Sequence, residues 1–80
     1  MVQKIKQDGS IGANIRAVRK AKGIHPVELV RLLQLEGVDI TREALVKIEG
    51  GRQHIQLAQL RGIRDALGTT YEALLDGTGV

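Results

Sequence analysis

The stretch Asp39-Ile-Thr-Arg-Glu-Ala-Leu-Val-Lys-Ile-Glu-Gly-Gly-Arg52 decides how this chain is read. Leu45 and Ile48 are three residues apart and fall on one side of a helix, with Ala44 beside them. Arg42, Glu43, Val46 and Lys47 then share the opposite side. Asp39 and Thr41 both suit the N-cap, and Gly50-Gly51 suits the exit. The spacing predicts a short helix over 41–49 that is apolar within and carries four side chains without. Glu43 and Lys47 also form an i,i+4 pair of the kind that decorates any exposed helix. Val46 is the apolar exception on that face.

Outward from this block, glycines divide the chain into segments of helical periodicity. Ile11, Ile15 and Val18 recur at i, i+4 and i+7, with Ser10 as the expected N-cap and Lys20, Lys22 and Gly23 at the end. His25-Pro26 opens a second helix, since proline suits a first helical position. Leu29, Leu32, Leu33 and Glu36 mark one stripe of it, and Gly37 ends it. Leu57, Leu60, Ile63 and Leu67 mark a fourth helix. Gly62 inside it costs about 1 kcal/mol relative to Ala, which suggests close packing there. Thr70 caps a fifth, with Tyr71, Leu74 and Leu75 apolar. The expectation is an all-α domain of five helices of about 6 to 13 residues each. Residues 1–10 read as a basic N-terminal arm, 11–76 as the domain and 77–80 as a C-terminal tail.

Composition narrows the function classes. The 80 residues contain no cysteine, which excludes disulfides and thiolate metal sites. Ten Leu, eight Ile, seven Val and seven Ala suffice for a small aliphatic core. No apolar run approaches the ~20 residues of a membrane span, and the start has no secretion pattern. A soluble intracellular protein is expected. The formal charge is +3 but uneven: residues 1–22 carry six Lys or Arg against Asp8 alone. Such a concentration points to a polyanion near that segment.

The outward face of helix 41–49 has the chemistry to read DNA. A short helix fits the ~12 Å major groove, where Arg donates two bonds to a guanine edge, Glu accepts from cytosine N4 and an outward valine can meet a thymine methyl. The order of segments resembles the Cro/cI-type (XRE) helix-turn-helix domains of phage and bacterial repressors. Ile11-Gly-Ala-Asn-Ile-Arg-Ala-Val-Arg-Lys-Ala-Lys-Gly-Ile24 is similar to their opening helix, and Asp39 to Arg52 to their recognition helix and exit. Ala66-Leu-Gly68 and Glu72-Ala-Leu-Leu75 are similar to their last two helices. The resemblance covers residues 11–76 and implies a compact five-helix lambda-repressor-like domain.

It also implies roles for matching positions. Arg42, Glu43 and Lys47 would read bases. His25, Val27, Thr41, Arg52 and Gln53 would contact the DNA backbone. Arg19 and Glu49 would pair to tie the first helix to the recognition helix. The partner implied is double-stranded DNA, bound as a homodimer, by a transcriptional regulator whose usual family role is repression. Its place would be the cytoplasm, with the nucleoid of a prokaryotic or phage-infected cell. Three features depart from the family pattern. Pro26 stands where a phosphate-binding Gln is usual, and Val30 where a small Ala is usual, which implies a slightly wider helix crossing. The segment from Leu29 to Thr41 is also longer, which implies a lengthened second helix and a looser turn.

Other chemistry is not expected. His25 and His54 lie in different turns without cysteine or paired carboxylates, so neither a metal site nor a nucleophile–base pair is read. No cofactor and no catalytic residue are assigned, and Gly9-Ser-Ile-Gly12 lacks the ending of a phosphate loop. The competing reading is a protein-interaction module on the same scaffold, antitoxin-like or coactivator-like. There the leucine-rich stretch Leu32 to Val38, or the tail after Leu74, would bind a partner protein.

Overall fold

The structure is a computed structural model that describes residues 8–77, with side chains from Ile11 onward. It is a compact helical domain of five helices: α1 (Asp8–Ala21), α2 (Pro26–Leu35), α3 (Arg42–Glu49), α4 (Leu57–Leu67) and α5 (Tyr71–Asp76). Among the described residues there is no strand. Val2 to Lys6, which hold the basic residues of the expected arm, lie outside the described residues. Ser10 is not the cap of α1, because the helix already includes Asp8, Gly9 and Ser10. The expected arm therefore overlaps the helix by its last three positions.

The elements pack in a definite order. α1 lies against α5 and α3, and α2 lies against α4 and α3. Ile15, Leu29, Leu33, Leu45, Ile48, Ile63 and Leu74 are fully buried and come from all five helices. Asn14 Nδ2 donates to the Leu74 carbonyl at 2.9 Å and fastens the end of α5 to α1. Two expected core positions differ. Leu32 lies on the flank of α2 rather than in its stripe, and Val30 is buried instead. Leu57 begins α4 on the side away from the core and is exposed. Gly62 does mark close packing: a Cβ there would lie 2.9 Å from Leu33 Cδ2 and from Val38 Cγ2.

The α2–α3 connection, Glu36 to Thr41, is long but pinned. Gly37 takes φ +85°, a left-handed conformation that favours glycine. It lets the Val38 N–H reach the Leu33 carbonyl at 2.9 Å and the Gly37 N–H reach Gln34 at 3.0 Å. Gln34 Nε2 then donates to the Ile40 carbonyl at 3.0 Å, and Ile40 is buried. The connection has the length expected of it, and these bonds hold it in place. Among the described residues no helix is long and apolar enough to cross a membrane.

Candidate nucleic-acid interface

α3 is built to hold one face still and present the other. Thr41, not Asp39, is its cap: Oγ1 accepts from the Ala44 N–H at 3.0 Å. The helix itself begins at Arg42, one residue later than the 41–49 span suggested. Leu45 and Ile48 are buried, Ala44 is half-buried, and Arg42, Glu43, Val46 and Lys47 are exposed. The Thr41 hydroxyl is exposed and accepts through its oxygen, so its proton remains able to donate outward.

The C-terminal end of α3 is fixed by α1. Arg19 Nε donates to Glu49 Oε2 at 2.7 Å and Nη2 to Oε1 at 2.9 Å, a bidentate pair with both side chains largely out of solvent. The third guanidinium nitrogen, Nη1, donates to the Ile24 carbonyl at 2.8 Å. One guanidinium thus joins α1, the turn before α2 and the last residue of α3. It brings His25, next to Ile24, and the exit loop after Glu49 to its two sides. Gly12 completes the joint, since a Cβ there would collide with the Ile48 carbonyl oxygen.

The exit loop holds Arg52 and Gln53, both exposed. Gly51 has φ +76°, and the Arg52 N–H bonds the Lys47 carbonyl at 2.8 Å, so Arg52 leaves α3 in a set direction. At the start of α2, His25 and Val27 are exposed. The amides of this turn are mostly used. Glu28 and Leu29 N–H bond the His25 carbonyl, the His25 N–H donates to Glu28 Oε1 at 3.1 Å, and Pro26 has none. The Val27 N–H is the remaining orphan donor of the first turn. The Glu28 carboxylate beside it is a negative charge that the sequence reading did not weigh.

The geometry therefore sets four side chains of α3 on one exposed face, with Thr41 at one end and Arg52 and Gln53 at the other. His25 follows Ile24, whose carbonyl is held by the same guanidinium that holds the end of α3. Two residues that matter to it, Gly12 and Glu28, carried no role in the sequence reading. The signal for Gly12 was the one that applied to Gly62, a helix-interior glycine whose cost implies a packing reason. The signal for Glu28 was its position three residues after His25, the residue before the Pro26 that opens the helix, where Glu completes a capping box. Among the described residues no three His, Asp or Glu side chains gather to hold a metal ion. Comparison of the chain with protein-family models and with curated proteins finds no match.

Proposed function

We propose that this chain is a sequence-specific double-stranded DNA-binding regulator, in its simplest role a repressor. α2 and α3 would act as a helix-turn-helix on a Cro/cI-type, lambda-repressor-like scaffold. α3 would enter the major groove with Arg42, Glu43 and Lys47 toward base edges. His25, the Val27 N–H, Thr41, Arg52 and Gln53 would meet phosphates, and Arg19 with Glu49 would set the angle between them. The carrying observation is that α3 exposes four adjacent side chains while its inner face is buried and its end is clamped to α1. Such rigidity is what base readout requires, because a bidentate contact tolerates little movement. One module of this size covers little DNA, so two copies would read half-sites ~34 Å apart. In this reading the protein is a binding module with no catalytic step and no cofactor.

A second reading has its own observation. Leu35 is 78% exposed on α2 and Leu32 stands near it at 38%, which suits a partner protein. Titration of a random duplex and of a duplex selected from a random pool, at several salt concentrations, separates the two. The DNA reading predicts an affinity that falls steeply with salt, about 0.9 logarithmic units per decade for each phosphate contacted. Absence of duplex binding, with salt-insensitive capture of a protein through Leu32 and Leu35, would favour the second.

A further inference from the structure

Val46 is 39% exposed at the middle of a face whose other members are Arg42, Glu43 and Lys47. It caps no helix, and it is excluded from the core that Leu45 and Ile48 fill on the other side. One turn further on lies Gly50, four residues away and therefore on the same line along the helix. Gly50 differs from the other glycines at helix ends. Its φ is −86° and its ψ is 0°, a helical conformation open to any residue. A Cβ on it would meet nothing closer than the Val46 carbonyl oxygen at 3.4 Å, an ordinary contact. Neither backbone nor packing asks for glycine here, although glycine weakens a helix end. Its effect on the surface is clearance: no side chain at position 50 stands beside Val46, and the nearest side-chain atom is Arg52 Nε, 3.6 Å from where a Cβ would lie.

We propose that Val46 is a specificity-determining residue that seats the C5-methyl group of a thymine, with Gly50 providing the room for the base edge to approach. The thymine methyl is the one apolar group that the major groove offers, and a small aliphatic side chain is its natural counterpart. Three bases, Arg42, Lys47 and Arg52, stand around the position against one acid, Glu43, a net positive surrounding that complements a polyanion and disfavours an apolar protein surface as the occupant. The proposal rests on the DNA-binding reading and adds to it the chemical group that this position recognises.

The test uses the full chain and a duplex selected from a random pool, in which each thymine is replaced in turn by deoxyuridine. That change removes one methyl and nothing else. At one position in each half-site, affinity should fall about fourfold, the value of one buried methyl-sized group. Val46→Ala should lose a similar factor on the thymine duplex and lose no more on the deoxyuridine duplex, because both changes delete the same contact. Gly50→Ala should leave the unfolding midpoint unchanged or raised while weakening the thymine duplex. A selected duplex that is indifferent to deoxyuridine at every position would overturn the role of Val46 and leave the DNA reading standing. Losses from Val46→Ala and deoxyuridine that multiply would do the same. Failure to select any preferred duplex would overturn both.

Discussion

Glu49→Gln should cost the fold about 3 kcal/mol, several times the ~0–1 kcal/mol of an exposed ion pair. The reason is burial. The side chains of Arg19 and Glu49 are only 8% and 7% exposed, and the two oxygens of Glu49 accept from two nitrogens of Arg19. Gln keeps the shape but removes the charge, so the guanidinium stays buried without its counter-ion. The double variant Arg19→Met, Glu49→Leu should lose less than the sum of the single losses, because no charge is then stranded. Chemical denaturation of the single and double variants checks this. A midpoint for Glu49→Gln equal to that of the unaltered chain would show that the pair does not hold the end of α3.

Gly12→Ala should be of similar size, about 3 kcal/mol, from a domain whose single core supplies only ~3–5 kcal/mol. The added methyl would meet the carbonyl oxygen of Ile48 and lie 2.9 Å from that of Glu49. Backbone cannot rotate away as a flexible side chain can, so α1 and α3 must separate. Separation also spoils the Arg19–Glu49 geometry, which makes the two losses non-additive. Ala13 lies next to Gly12 but faces solvent, and Ala13→Ser there should change stability by less than about 0.5 kcal/mol. A Gly12→Ala chain that unfolds at the same denaturant concentration as the unaltered chain would refute the close approach of the two helices.

Much of this architecture was legible in the sequence because short helices announce themselves by period and punctuation. Ile15, Val18, Leu45 and Ile48 fall on buried faces as their spacing implies. The ends at Gly23, Gly37, Gly51, Gly68 and Gly77 all take positive φ. What was not legible depends on three dimensions. Leu32 and Leu33 are equally apolar, and only the position of α4 decides that Leu33 is inside. Thr41 and Asp39 are equally good caps until the turn is pinned by Gln34 and Ile40. Ser10 resembles a cap, yet the helix continues through it to Asp8. Gly12 is only a helix-interior glycine in the sequence, and the fold shows which backbone it packs against. On the candidate interface, the exposure of Arg42, Glu43 and Lys47 follows from the burial of their neighbours. The used amides of α2 do not, because they turn on which carboxylate faces His25.

Whether α3 reads base edges is tested most directly by paired variants at its two ends. Arg42 stands at the first position of α3, the end that a recognition helix would place deepest in the groove, and Arg52 stands beyond its exit. Affinities of Arg42→Ala and Arg52→Ala are measured for a selected site, its single-base variants and random DNA at one salt concentration. Arg42→Ala should lose about 1–3 kcal/mol on the selected site and become indifferent to the base at one position of each half-site. Arg52→Ala should weaken the selected and random duplexes by similar factors, since phosphate contacts carry no sequence information. If Arg42→Ala instead weakens every duplex equally and leaves the order of preference intact, α3 does not read bases through this residue, and the assignment of its outward face is wrong.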